Sequence, residues 1–215
     1  MNSLEKLFSS STSVFVIAEA GSNWKCGTFE EDLEQAKKLI KVAAKAGADA
    51  VKFQTYKPET IYVEDAGKSE YLSEHGIEQN INEIFEHLSM PYEMIPKLAE
   101  YCKQENIMFM STPFSVQDAQ EVDPFVDFHK IASFEINHSR LIEFLSKTKK
   151  PIIISTGAST YDEIDFAVKL IKSNENNQIF LLQCTSKYPC KVEALNLAVL
   201  PKFKSKYGVA KYESL

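Results

Sequence analysis

Several features that define large protein classes are missing from this sequence. Glycine is scarce, with 7 among 215 residues, and no GxGxxG turn follows the first apolar run at 14–20. A dinucleotide-binding fold would place such a turn there. Lysine and arginine number 24 against 30 acidic residues and form no large cluster, so no nucleic-acid partner is expected. The N-terminal apolar run is too short to span a bilayer, and no membrane partner is expected.

Cysteine and histidine are also few, with 4 residues of each type. The cysteines include no CxxC pair and the histidines no HxxxH or HxH pair, so these residues alone predict no metal site. Unpaired cysteines are typical of a reducing compartment, and we therefore expect free thiols and a cytoplasmic protein. The cysteines are Cys26, Cys102, Cys184 and Cys190.

Short apolar runs alternate with helix-like stretches along most of the chain. Each run has the length of a strand and is rich in Val, Ile, Phe or Met. Strands that alternate with helices imply a parallel sheet joined by right-handed crossovers. The runs cover residues 14–20, 50–56, 107–114, 128–134, 151–157 and 179–186.

Polar residues at the ends of these runs favour a barrel over an open sheet. In a (β/α)8 barrel, or TIM barrel, the active site is built from the carboxyl ends of the strands. Nearly every run here ends in residues capable of chemistry, such as Glu19 and Lys52. A whole barrel needs eight strands and usually about 250 residues. We therefore predict one α/β domain over 1–215, an incomplete TIM barrel with about six of the eight βα units.

Two lysines lie inside apolar runs, where a positive charge is costly to bury. Lys52 and Gln54 share one face of their strand because side chains alternate, and Lys130 repeats the arrangement in the fourth run. One interpretation is internal pairing, with Glu19 and Glu135 as counter-charges. The other is a site for a phosphate or carboxylate, to which neighbouring hydroxyl groups add neutral donors. Those hydroxyl groups belong to Thr112, Ser133, Ser155 and Ser186.

Six strings at the strand ends resemble the sialic acid synthase family, which comprises the N-acylneuraminate, legionaminate and pseudaminate synthases. The resemblance implies a (β/α)8 barrel followed by a small antifreeze-like domain, assembled as a domain-swapped homodimer. It implies condensation of phosphoenolpyruvate with an N-acetylated aldose, such as N-acetylmannosamine, to give a nonulosonic (sialic-type) acid and phosphate. The strings are "IAEAGSN", "AGADAVKFQTYKPE", "MSTPF", "KIASFEI", "PIIISTGAST" and "LLQCTSKYP".

The resemblance also implies a role for each matching residue. Both lysines would neutralise the phosphate and carboxylate while the enol carbon attacks the sugar aldehyde. The catalytic residues would be Glu19, Lys52 and Lys130. The residues that hold phosphoenolpyruvate would be Lys52, Thr112, Lys130, Ser133, Ser155, Ser186 and Tyr188. The residues that face the sugar would be Gln54, Phe114, Glu135 and Tyr188.

A divalent metal, Mn or Mg, is implied as the group that polarises the sugar aldehyde. In the family its histidine ligands belong to a serine-aspartate-histidine motif and a lysine-histidine motif, and this sequence contains neither. The antifreeze-like domain, which gives an arginine to the partner's sugar site, is not matched either. The turn after the first run departs from the family's asparagine-histidine-x-glycine, because it reads "NWKCG" with one extra residue.

Two other functions fit parts of the pattern. A Schiff-base aldolase needs a lysine nucleophile, and either Lys52 or Lys130 could serve. A truncated or degenerate product without catalytic function, whose barrel is completed by other chains, would carry the same motifs.

Because the metal-binding motifs are absent, we expect this chain to be inactive or weakly active alone. The measurement is phosphate release by the 215-residue chain supplied with Mn, phosphoenolpyruvate and N-acetylmannosamine. A reaction without the sugar is the control for background hydrolysis. Robust sugar-dependent turnover would contradict the expectation.

Overall fold

Each half of the chain builds its own three-stranded parallel sheet. The computed structural model describes residues 14–61, 63, 66–68, 79–187 and 189–207. The chain divides into two compact units, Met1–Val126 (unit 1) and Asp127–Leu215 (unit 2). In both sheets the strands follow chain order, so each connection is a crossover between neighbouring parallel strands.

Unit 1 has a central strand, β2 (Ala50–Thr55), that pairs in parallel with β1 (Ile17–Gly21) and β3 (Met108–Pro113). The register of β1 shifts between Glu19 and Gly21, and Gly21 has a φ of 53°, which glycine adopts without steric cost. The helices of unit 1 are α1 (Phe29–Lys45), α2 (Pro58–Ile61), α3 (Ile81–His87), α4 (Met94–Gln104) and α5 (Val116–Val122). A 3-10 turn, Asp123–Phe125, follows α5.

The start of α1 is fixed by a capping box. The Thr28 hydroxyl accepts a hydrogen bond from the Glu31 amide, and the Glu31 carboxylate accepts one from the Thr28 amide at 2.8 Å. These two bonds satisfy amides that have no partner within the helix. The helix ends at Lys45, and Gly47 then takes a φ of 82°, which turns the chain into β2.

The core of unit 1 lies between the sheet and its two long helices. Val51 and Phe53, alternate residues of β2, are buried in one cluster with Ile40 of α1 and Leu98 of α4. Because side chains alternate along a strand, this packing directs Lys52 to the opposite face of β2.

Unit 2 has β5 (Ile152–Ser155) at its centre, paired in parallel with β4 (His129–Ile131) and β6 (Ile179–Leu182). All of β5 is buried, as expected for a parallel strand covered on both faces. The helices of unit 2 are α6 (Ser139–Lys147), α7 (Tyr161–Ser173) and α8 (Val199–Tyr207). Its 3-10 turns are Ser133–Glu135 and Val192–Ala194.

The predicted α/β class with parallel strands is confirmed. Each of the six apolar runs contains one strand, but β4 is only His129–Ile131, and Ser133–Glu135 forms a 3-10 turn where the run was read as strand. The four thiols are free, as expected. Within the described ranges, we find no helix with the length and apolar character needed to cross a bilayer.

We predict that Ile40→Ala destabilises the protein by about 2–5 kcal/mol, because Ile40 is fully buried and the substitution leaves a cavity in the core. The measurement is the free energy of unfolding from urea denaturation. Val42→Ala is the matched control, since Val42 lies on the same helix with 64% exposure and should change stability by less than about 0.5 kcal/mol. Equal effects of the two substitutions would contradict this assignment of the core.

Candidate functional site

A buried lysine stands at the centre of the polar cluster of unit 1. Lys52 is 8% exposed. Its Nζ lies 2.5 Å from Glu19 Oε2 and donates a hydrogen bond to Thr112 Oγ1 at 3.0 Å. The internal pairing that the sequence offered for Lys52 is therefore present, with Glu19 as the counter-charge.

Strand register brings these side chains together. Glu19 of β1 is the parallel neighbour of Lys52 in β2. Gln54 is the neighbour of Thr112 in β3, so Gln54 and Lys52 share one face beside the same hydroxyl group. On the other face, the hydroxyl groups of Thr55 and Ser111 are 2.7 Å apart and buried. Because side chains alternate along the strands, Lys52 and its partners lie on one face, and the neutral pair of Thr55 and Ser111 lies on the other.

The predicted site residue Phe114 lies in an aromatic cluster. Its ring meets that of Tyr56 edge-on, with centroids 5.6 Å apart, and Tyr56 also contacts Phe85 at 5.3 Å. The Tyr56 hydroxyl donates to the carbonyl of Leu88 at 3.2 Å. These contacts hold the residues that follow β2 and β3 in place. We call the cluster of Tyr56, Phe85 and Phe114 the aromatic wall of unit 1.

A buried carboxylate that sequence reasoning missed holds the turn after Phe114. Asp118 is fully buried and accepts hydrogen bonds from the Tyr92 hydroxyl at 2.8 Å and the Ser115 hydroxyl at 2.6 Å. Burial raises the pKa of Asp118, although those hydrogen bonds oppose the rise. Lys57 Nζ lies 4.5 Å from the centroid of the Tyr92 ring. The Ser-x-x-Asp spacing, with Ser115 as the N-cap and Asp118 in the first turn of α5, is the signal in the sequence, since it is typical of a helix start.

The turn after β1, read as "NWKCG", is organised by a second carboxylate. Trp24 is buried in the core at 1% exposure. Lys25 Nζ lies 2.6 Å from Asp32, which also accepts hydrogen bonds from the amides of Cys26 and Gly27. Burial by itself would raise the pKa of Asp32, but the hydrogen bonds from Cys26 and Lys25 outweigh it and lower the pKa. The turn is therefore clamped to the first turn of α1.

The polar cluster of unit 2 contains the second buried lysine. Lys130 is 6% exposed, and its Nζ donates to Ser155 Oγ at 2.6 Å and to the carbonyl of Ile131 at 2.7 Å. Lys130 in β4 is the parallel neighbour of Ile153 in β5, two residues before Ser155. The sequence offered Glu135 as the counter-charge of this lysine, whereas these two bonds go to a hydroxyl and a carbonyl oxygen.

Three consecutive strand ends of unit 2 meet at Gly157. The Gly157 amide donates a hydrogen bond to Ser133 Oγ at 3.0 Å. A Cβ placed on Gly157 would lie 2.5 Å from Ser186 Oγ and 3.0 Å from Ser133 Oγ. The two serines follow β4 and β6, so the sheet brings together residues 53 positions apart (186 − 133).

The resemblance also implies sugar contacts for Glu135 and Tyr188 of unit 2, and the structure describes only Glu135. Glu135 is half-buried, and burial raises its pKa above the usual value of 4.5. A carboxyl group perturbed in this way is a candidate proton donor or acceptor. Tyr188 lies outside the described residues, so its predicted contacts are not placed.

A cavity of about 450 Å³ opens beside Ser186 in unit 2. Its wall combines the ends of β5 and β6 with α7 and α8, and it includes Thr156, Tyr161, Gln183, Thr185 and Phe203. Several of its polar side chains are already engaged, because Gln183 donates to the Leu195 carbonyl and Thr185 to the Ala194 carbonyl.

The side chains that the structure describes do not fit the divalent metal implied by the resemblance. In those ranges no group of three or more His, Cys, Asp or Glu side chains is arranged to hold a metal ion. The described side chains thus form no all-protein cage for a metal, and no chemical step is derived through one.

Comparisons with known proteins agree on one family. The sequence model of a protein family described as the NeuB family matches residues 39–211 of this chain. Pseudaminic acid synthase of Campylobacter jejuni is 35% identical over 207 residues, which cover 94% of this chain and 58% of the relative. Spore coat polysaccharide biosynthesis protein SpsE of Bacillus subtilis is 36% identical over 200 residues, covering 92% and 51%.

A solved structure extends this similarity to three dimensions. N-acetylneuraminic acid (sialic acid) synthetase from Leptospira borgpetersenii matches with a TM-score of 0.79 and 30% identity, covering 94% of this chain and 65% of that chain. The chain spans 58% and 51% of the lengths of the two relatives above, so it corresponds to only part of each.

We predict that Glu135→Gln removes a loss of stability that accompanies a rise in pH above about 4.5, the usual pKa of a glutamate. A raised native pKa means that the folded state binds more protons than the unfolded state. The contribution of Glu135 to stability should therefore fall as the pH rises from 4.5 through its raised pKa, and the substitution removes that contribution. The measurement is the urea midpoint at several pH values.

Glu193→Gln is the control, since Glu193 is an exposed glutamate of the same unit. If the wild-type and Glu135→Gln midpoints stay parallel across this range, Glu135 has no raised pKa in the folded state.

Proposed function

The chain belongs to the NeuB family, and we propose that it supplies the phosphoenolpyruvate-binding part of a nonulosonic acid synthase. The proposed reaction joins phosphoenolpyruvate to an N-acetylated aldose and releases phosphate. The similarity to pseudaminic and N-acetylneuraminic acid synthases supports this class of reaction.

The observation that carries the proposal is the pair of buried lysines, each beside a hydroxyl group at a strand end. Lys52 contacts Thr112, and Lys130 contacts Ser155. Taking an ammonium group out of water costs several kcal/mol unless other charges and dipoles compensate. An anionic group bound beside either lysine would supply a compensating charge to that lysine.

Phosphoenolpyruvate has the groups that such residues recognise. It carries a carboxylate and a phosphate, and both accept short hydrogen bonds from ammonium and hydroxyl donors. We assign Lys52 and Thr112 of unit 1 to this anion. From unit 2 we assign Lys130, Ser133, Ser155 and Ser186. Tyr188 stays a proposed contact on the strength of its motif alone.

Glu19 is proposed to act as an exchangeable partner for Lys52. Its carboxylate pairs with the ammonium but keeps 52% of its side-chain surface exposed. A pair with one exposed member is weakly held because solvent screens it. Glu19 can therefore maintain the charge and direction of Lys52 before the substrate binds, and then yield to the substrate anion.

The acceptor side is proposed to involve Gln54, Phe114 and Glu135. Gln54 shares the face of Lys52, Phe114 forms part of the aromatic wall, and Glu135 carries a raised pKa two residues after Ser133. An amide, an aromatic ring and a carboxyl group are the groups that commonly contact sugar hydroxyls and ring carbons. A protonated Glu135 could donate a hydrogen bond to the acceptor.

We further propose that the fold is that of a (β/α)8 barrel. Parallel strands in chain order, crossover helices and functional side chains at the carboxyl ends all agree with this fold. The six strands of the described residues would be six of its eight. Free thiols agree with a cytoplasmic location.

We predict that Lys52→Gln weakens phosphoenolpyruvate binding about 10- to 100-fold, the usual effect of losing a hydrogen bond to a charged group. The measurement is isothermal titration calorimetry with phosphoenolpyruvate. Lys41→Gln is the matched control, because Lys41 is exposed on α1 and should bind like wild type. Lys130→Gln should behave like Lys52→Gln.

Equal affinity of Lys52→Gln and wild type would contradict the proposal. Borohydride treatment in the presence of pyruvate separates it from a Schiff-base aldolase. Trapping of a covalent adduct on Lys52 or Lys130 would favour the aldolase, whereas the proposed function predicts no adduct.

A further inference from the structure

We propose that Gly157 is a positioning residue, whose missing side chain lets the hydroxyl groups of Ser133 and Ser186 act on one tetrahedral oxyanion. The anion class is a phosphate or phosphoryl group. The inference rests on the proposed function only in naming phosphoenolpyruvate as the natural source of that group. The geometry that carries it lies wholly within unit 2.

Backbone conformation does not explain the glycine at position 157. Glycines with a left-handed φ in the described ranges are Gly21, Gly47 and Gly67, and Gly157 is not among them. An L-residue could therefore adopt the backbone of Gly157 without strain. The position lacks space for a side chain, because a Cβ there would lie 2.5 Å from Ser186 Oγ, far inside normal contact distance.

The hydroxyl groups of both serines lie against the side of Gly157 that a side chain would occupy. The same Cβ would lie 3.0 Å from Ser133 Oγ and 3.3 Å from Cys184 Cβ. Gly157 is buried, Ser133 is half-buried and Ser186 is exposed, so the cluster has a protein side and a solvent side. A ligand can reach the two hydroxyl groups from the side of Ser186.

The Gly157 amide also orients one of the donors. It donates to Ser133 Oγ at 3.0 Å, so that oxygen serves as an acceptor in this bond. A hydroxyl group that accepts a bond still carries its own hydrogen, which it can donate elsewhere. Ser133 is thus prepared to donate toward an anion, and Ser186 lies within reach of the same small volume.

The positive charge of Lys130 is the reason to expect an anionic ligand. Its Nζ donates to Ser155 Oγ, and Ser155 lies two residues before Gly157 on the same strand end. A cation with several hydroxyl donors is a typical arrangement for binding phosphate. The proposed contacts are to the phosphoryl group alone, so inorganic phosphate is a suitable probe.

The test is Gly157→Ala, measured by calorimetric titration of the 215-residue chain with inorganic phosphate and, separately, with phosphoenolpyruvate. The new methyl group must push the Ser186 hydroxyl away, because that is its nearest contact. We expect phosphate affinity to fall about 10-fold or more, the usual effect of losing a hydrogen bond to an anion.

A double variant separates positioning from a merely structural role. Ser186→Ala alone should also weaken phosphate binding, and Gly157→Ala/Ser186→Ala should bind no more weakly than Gly157→Ala, since the methyl group already displaces the Ser186 hydroxyl. The double variant should unfold at a higher temperature than Gly157→Ala, because the 2.5 Å conflict is gone. Gly47→Ala is the control for affinity: the left-handed φ of 82° makes this variant less stable, but the position lies in unit 1 with open space around it, so phosphate affinity should be unchanged.

The outcomes distinguish this inference from the proposed function. Wild-type affinity for phosphate in Gly157→Ala, or no binding of phosphate by the wild type, overturns the inference. Additive losses in the double variant also overturn it. Phosphate binding that depends on Gly157, without any binding of phosphoenolpyruvate, supports the inference and contradicts the proposed function.

Discussion

A lysine ammonium with 8% exposure needs a counter-charge and a hydrogen-bond acceptor, and Glu19 and Thr112 supply them to Lys52. This requirement constrains much of unit 1. The registers of β1, β2 and β3 must place those three side chains on one face, while Val51 and Phe53 pack in the core on the other. A slip of one residue in β2 would bury Phe53 among polar groups and leave the lysine in the core.

The two buried lysines meet different kinds of partner at their strand ends. In unit 1 the ammonium pairs with a carboxylate that stays half-exposed, which is the basis for proposing that a ligand anion replaces it. In unit 2 the Nζ of Lys130 donates to a hydroxyl and a carbonyl oxygen, which provide dipoles. Hydroxyl groups also converge on Gly157, so unit 2 combines a cation with neutral donors, the combination on which the proposed phosphate contact rests.

Besides Lys52 and Lys130, two buried carboxylates organise the turns that carry the candidate site. Asp32 binds the amides of Cys26 and Gly27 together with Lys25, and it fixes the turn after β1. Asp118 performs the same task after β3 through Tyr92 and Ser115. The two carboxylates respond to burial differently: the hydrogen bonds to Asp32 outweigh its desolvation and lower its pKa, whereas those to Asp118 do not, and its pKa rises.

The sequence by itself determined the alternation of strands and helices, the parallel class and the two anomalous lysines, because a period of two or 3.6 residues and the cost of a charge in an apolar run are local properties. It also pointed to the strand-end hydroxyls such as Ser155. Only the tertiary structure decided which groups meet. Glu19 faces Lys52 across 33 residues, and Gly157 receives serines from two other strand ends. Register between strands depends on packing of the whole sheet, so these neighbours cannot be read from any local pattern.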